Sequence, residues 1–191
     1  MDFITVVSGL PRSGTSLMMQ MLAAGGLPPL TDGIRAPDED NPRGYLEFEP
    51  VKRTRQDPSW VSSANGKCVK MVYLLLRDLP AASQYRVILM RRDLSEVIAS
   101  QAAMLERSGK QGGNLPADRM AALYTGQLNQ IVEWIARQPN FTLLEMEHRD
   151  CLYRTAEAAT AITQFLGGSL DEKRMTAAID RSLHRNQSAQ P

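Results

Sequence analysis

An apolar run, Phe3-Ile-Thr-Val-Val-Ser8, passes directly into Gly9-Leu-Pro-Arg-Ser-Gly-Thr-Ser16, and that segment opens a stretch with helical spacing. Few folds accept such a junction. A strand that turns within a few residues into a helix N-terminus belongs in a parallel sheet covered by helices, and the loop between them is an anion site by geometry. Backbone N–H groups over residues 13–16 should point into its hollow, the helix dipole adds positive potential, and glycine lets a phosphate approach the chain closely. Arg12 lies inside the loop, where its guanidinium suits two oxyanions at once.

The rest of the chain fits that start. Further strand-like runs at 68–73, 86–90 and 141–146 alternate with segments of helical periodicity, which predicts an α/β three-layer fold with a mainly parallel sheet. The first helix should run from Thr15 to the Gly25-Gly26 pair, with Leu17, Met18, Met21 and Leu22 on one face. Asp93 is a good N-cap with Glu96 three residues on, so a helix should follow until Gly109; Pro116 opens a longer one ending near Gln138-Pro139. A last strand and helix close at Gly167-Gly168, before a short helix. Residues 27–60 are rich in Pro, Gly and acids and should carry only short regular structure. Neither an internal repeat nor a linker shows, so residues 1–180 are expected to form one domain, followed by a polar tail over 181–191.

With 191 residues, 43% of them hydrophobic, the chain can bury a core unaided, and a net charge of +1 argues against a basic coat for nucleic acid. The apolar runs are far short of a membrane span, and Asp2 spoils the cationic start of a signal peptide, so a cytoplasmic setting is expected. Cys68 and Cys151 stand alone among apolar residues, which makes them buried thiols rather than metal or redox pairs.

Measured against the G-x-x-x-x-G-K-[ST] phosphate loop, Gly9, Gly14 and Ser16 fit, but Thr15 stands where the lysine belongs. Arg12 can supply that charge. A second constellation is Arg91-Arg92-Asp93 at a strand's end, with Ser100 eight residues after Arg92 on the flank of the following helix's apolar stripe. A cation at the carboxyl end of a strand and a hydroxyl on the adjoining helix can bind a second phosphate, in the crevice where open α/β sheets place ligands.

These two segments, in this order, resemble those of the sulfotransferases that use 3′-phosphoadenosine 5′-phosphosulfate (PAPS). Residues 9–16 are similar to the family's 5′-phosphosulfate loop, notably its Pro-Arg-Ser-Gly-Thr form, and residues 87–100 resemble its 3′-phosphate segment, with Arg92 and Ser100 at the matching positions. Asn41-Pro-Arg-Gly-Tyr-Leu-Glu-Phe-Glu-Pro50 and the Phe-Leu-Gly within residues 162–168 are weaker likenesses to small bacterial members. The resemblance implies sulfuryl transfer from PAPS to a hydroxyl or amine without a required metal. It assigns Pro11, Arg12, Ser13, Gly14, Thr15 and Ser16 to the 5′ end of the donor, and Arg92 and Ser100 to its 3′-phosphate.

For the general base, the Lys-x-His-Leu-Pro of cytosolic members is here Lys70-Met-Val-Tyr-Leu, so only Lys70 has a counterpart. Tyrosylprotein sulfotransferases use a glutamate after the first helix; Glu47 is the first candidate here, then Glu49, then Asp40, and alternation would put Glu47 and Glu49 on one side if the segment is extended. His148 is read as a surface or structural residue. Arg181 and Arg185 could fold back on the nucleotide, although the Arg-Lys-Gly-x-x-Gly motif of larger members is missing. Two other readings stay open: a P-loop kinase or hydrolase with Glu145 as a Mg²⁺-associated acid, and a module that binds nucleotide without turnover. The acceptor, whether small molecule, carbohydrate, lipid or peptide, is not encoded in any motif.

Overall fold

A computed structural model describes residues 2–36, 44–109 and 115–180. Four parallel strands, β1 (Ile4–Gly9), β2 (Cys68–Val72), β3 (Tyr85–Arg91) and β4 (Phe141–Glu147), form one sheet in the order β2-β1-β3-β4. Val6 is the centre of the register, opposite Val69 on one side and Val87 on the other. Every residue of β1 is buried, as a strand covered on both faces requires.

The helices are α1 (Thr15–Ala24), α2 (Leu94–Arg107), α3 (Ala117–Ala136), α4 (His148–Tyr153), α5 (Thr155–Phe165) and α6 (Glu172–Ala177). Strand alternation divides the core between the two faces. Ile4, Val6, Val87 and Leu89 point into a cluster with Val97 of α2 and Leu128, Ile131 and Ile135 of α3. Val7, Ile88 and Met90 point the other way, onto Met18, Met21 and Leu22 of α1, Ile162 of α5 and Met175 of α6. The three-layer α/β architecture is therefore the one the alternating pattern implies. Met18, Met21 and Leu22 are each fully buried, a burial that stabilises by about 1.5–3 kcal/mol per side chain of this size.

Helix bounds fall within a few residues of expectation because the caps are real. The Asp93 carboxylate accepts from the amides of Ser95 and Glu96 at the start of α2. Glu96 does not complete a reciprocal capping box; its carboxylate turns to Arg92, at 2.8 Å from Nε. Among the described residues between 27 and 60, helical structure is limited to short 3₁₀ turns at Glu49–Arg53 and Ser59–Ser63, and a third, Tyr73–Asp78, follows β2. Both cysteines are free and buried, and burial pushes each thiol up to about 12. Among the described residues no helix is long and apolar enough to cross a membrane.

Candidate active site

The strand order makes the site. After β1 the chain crosses to β2 on one side, and β3 lies on the other, so the carboxyl ends of β1 and β3 flank a topological switch point, where open α/β sheets leave a crevice. A cavity of about 450 Å³ lies there, lined by the loop after β1 together with Lys70, Arg92, Ser100, Glu47 and His148.

The loop from Gly9 to Gly14 is a tight turn closed by the Ser13 amide, which donates to the Leu10 carbonyl at 3.1 Å. That spends one of the amides expected to face an anion. Helix α1 then starts at Gly14 with no side-chain cap and no acidic residue in its first turn, which leaves the amides of Thr15 and Ser16 to be met from the cavity. Ser13 itself is buried with its Oγ unpartnered, against a second, smaller cavity that also touches Leu10, Arg91 and Glu147.

Arg12 is held at φ 75°, in left-handed backbone that a non-glycine residue adopts at a cost on the order of 1 kcal/mol. Two long-range contacts hold it there: Arg92 Nη1 donates to the Arg12 carbonyl at 3.1 Å, and Arg12 Nε donates to Ser100 Oγ at 2.9 Å. The two segments that the sequence singled out, some 80 residues apart in the chain, are thus one hydrogen-bonded unit. Gly14 stands at φ 98°, and a Cβ there would sit 2.4 Å from Cδ2 of the buried His148 ring. Gly14→Ala should therefore lose at least about 1–2 kcal/mol from backbone strain alone, lowering the melting midpoint by roughly 2–8 °C for a chain of this size. Differential scanning calorimetry checks this; an unchanged midpoint would mean that the loop relaxes out of the left-handed backbone and away from His148.

On the β2 side, Lys70 projects from the strand beside β1 and its Nζ donates to Ser16 Oγ at 3.1 Å, to the Tyr45 carbonyl at 3.0 Å and to Glu47 Oε1 at 3.3 Å. Burial draws the Lys70 pKa below its ordinary value; the Glu47 carboxylate works against that shift, while Arg35 and Arg12 add to it. Glu47 is also paired with Arg35, at 3.2 Å, and Arg35 lies over the Tyr45 ring, 3.3 Å from its centroid. The backbone of Glu47 is fixed by Thr31, whose hydroxyl donates to its carbonyl at 2.9 Å.

Glu47 and Glu49 do not share a face. Leu46 is left-handed at φ 49°, the segment forms no strand, and Glu49 begins a 3₁₀ turn in which it pairs with Lys52 and does not line the cavity. Phe48 between them is extended, but the chain enters the 3₁₀ turn at Glu49, and the extended segment ends there. Asp40, Arg181, His184 and Arg185 lie outside the described residues. Pro11, Arg12, Gly14, Thr15, Ser16, Glu47, Lys70, Arg92 and Ser100 come together around the one cavity.

Sequence reasoning passed over several of the lining side chains. His148, read as surface or structural, is buried at the carboxyl end of β4, and the strand-end rule that singled out Arg92 would have found it. Met104 and Arg107 follow Ser100 at four and seven residues on α2 and line the cavity with it, a helical spacing legible in the sequence. Arg35 and Tyr45 carry no comparable signal, because a loop sequence does not say which of its side chains fold back.

Fold and loop together define an α/β protein with a phosphate-loop type of strand–loop–helix start. No family model matches the sequence, and no curated protein matches it significantly. Among solved structures the chain is similar to the sulfotransferase domain from the curacin biosynthetic pathway, with a TM-score of 0.54 and 14% identity, covering 100% of this chain and 93% of that one. At that identity the likeness is one of fold, a distant structural link to a sulfotransferase.

Proposed function

We propose that the chain is a PAPS-dependent sulfotransferase that moves a sulfuryl group to a hydroxyl or amine. The observation that supports this most is that Arg12 in the loop and Arg92 with Ser100 beside it, two cationic phosphate-binding constellations, meet in one cavity next to Lys70 and Glu47. A donor with phosphates at both its 3′ and 5′ positions accounts for both. Arg12, Thr15, Ser16 and the backbone of Pro11, Ser13 and Gly14 would shape and hold the 5′ end, and Arg92 and Ser100 the 3′-phosphate.

PAPS supplies an activated sulfuryl group. Transfer forms a bond from the acceptor atom to sulfur and breaks the sulfur–oxygen bond to the 5′-phosphate, whose oxygen keeps the electron pair while the acceptor gives up a proton. Glu47, whose carboxylate lines the cavity beside Lys70, would take that proton. Lys70, within 3.1 Å of Ser16 and 3.3 Å of Glu47, stands between loop and base, where a fixed cation can stabilise charge growing on the departing phosphate. The reading includes a cytoplasmic setting, in keeping with two buried free thiols.

The test is thermal stability with adenosine 3′,5′-bisphosphate against ATP, each with and without Mg²⁺, followed by transfer of labelled sulfate from PAPS. A ligand at 100 times its Kd stabilises by about 2.7 kcal/mol, roughly 5–11 °C at this size. The expected result is a metal-independent shift with the bisphosphate. A shift that needs ATP and Mg²⁺ would make the chain a phosphotransferase, and no shift with either would overturn the reading.

A further inference from the structure

We infer that the acceptor is an apolar alcohol, a single reacting hydroxyl on a hydrocarbon body, and not a sugar; this rests on the donor reading above. The sheet order divides the cavity. Arg92, Ser100 and His148 come from the β3 and β4 side of the loop, and Lys70, Val72 and Leu75 come from the β2 side, joined there by Glu47, Phe48 and Val51. The phosphate-binding groups of the first set leave the second for the acceptor.

Beside Lys70 and Glu47, much of that second wall is hydrocarbon. Phe48 is held edge-on against Trp60, with ring centroids 6.1 Å apart, and Val51 is buried, so both present fixed apolar surface beside Glu47. Val72 and Leu75 carry the same surface along the end of β2. Val72 both lines the cavity and is 39% exposed, so a hydrocarbon tail that outgrows the cavity can leave it there.

The polar groups at this end are already engaged with one another. Lys70 donates to Ser16, Tyr45 and Glu47, Arg35 pairs with Glu47 across the Tyr45 ring, and Lys52 pairs with Glu49. A polyol enclosed here would have to break those pairs or leave its own hydroxyls unsatisfied, either of which weakens binding. An alcohol with one hydroxyl needs one acceptor of a hydrogen bond, and Glu47 is that group. In the transfer its oxygen bonds to sulfur, its proton passes to Glu47, and the 5′-phosphate leaves with the electron pair.

The experiment is a homologous series, 1-butanol to 1-octanol, beside glucose and a tyrosine-containing peptide, with PAPS as donor, read as kcat/KM. Calorimetric binding of 1-octanol to the protein saturated with adenosine 3′,5′-bisphosphate gives a readout that does not depend on turnover. Each added methylene should raise kcat/KM and affinity roughly threefold to fourfold until the apolar wall is covered. Val72→Asp, at a site open enough to tolerate the change, should flatten that slope and lower kcat/KM for 1-octanol at least about tenfold, with the bisphosphate-induced thermal shift unchanged. A flat series, faster transfer to glucose or to the peptide, or no binding of 1-octanol overturns the acceptor assignment and leaves the donor reading standing. Failure of the bisphosphate to bind is the separate result that removes the donor reading.

Discussion

Arg92→Met should remove the preference for a 3′-phosphorylated nucleotide, raising the Kd of adenosine 3′,5′-bisphosphate by roughly 10- to 150-fold, the worth of a hydrogen bond to a charged group. Adenosine 5′-monophosphate, which lacks the 3′-phosphate, should lose far less, only what the bond from Arg92 to the Arg12 carbonyl contributes to holding the loop. The single change has a second effect. Arg92 and Glu96 are each about 10% exposed and lie 2.8 Å apart, so removing the arginine takes an ion-pair partner from a buried carboxylate. Breaking such a pair costs about 3–5 kcal/mol, and the unliganded protein should melt well below the parent.

A second substitution separates fold from binding. Arg92→Met with Glu96→Gln removes both charges of the pair, and most of the lost stability should return while the bisphosphate still fails to bind tightly. Glu96→Gln by itself keeps the arginine and its bond to the Arg12 carbonyl but loosens its aim, so an intermediate loss is expected. Isothermal calorimetry on the three variants decides it. Parent-like bisphosphate affinity in the double variant would take Arg92 out of the donor site.

What the sequence made legible here follows from how local each signal is. Strand β1, the loop and α1 are contiguous, and the requirement for a positive φ at Gly14 and an open helix N-terminus is written in fourteen consecutive residues. Arg92 and Ser100 were legible for the same reason, as a strand end and a helix position eight residues apart. That Arg12 donates to Ser100 directly is not local, since it depends on β1 and β3 being neighbours. The acceptor side was the least legible. Glu47 reaches Lys70 only because Leu46 takes a left-handed turn and Thr31 holds the next carbonyl, two features of a loop that periodicity does not describe. Glu49 opens a 3₁₀ turn and pairs with Lys52, so alternation, sound for a strand, does not bring it to the cavity.

Glu47→Gln should lower kcat by about 10²–10⁴, the span that a positioned general base contributes, and leave bisphosphate binding within about twofold, because the carboxylate faces Lys70 and Arg35 rather than Arg12 and Arg92, the arginines of the proposed phosphate sites. Its removal has an electrostatic signature as well. Burial already lowers the Lys70 pKa from 10.5, and the Glu47 charge is the largest influence opposing that shift. Without it, Lys70 should lose its proton at still lower pH. In the parent, the alkaline limb of kcat against pH should therefore fall below 10.5. In Glu47→Gln, the residual activity should decline at lower pH again. Lys70→Arg, which stays protonated throughout, should abolish the limb. A merely structural Glu47 predicts something else: a lower melting midpoint, kcat within about threefold of the parent, and an alkaline limb still moved by the lost charge. The drop in kcat is thus the deciding quantity, and the moved limb then shows that base and lysine act within the same site.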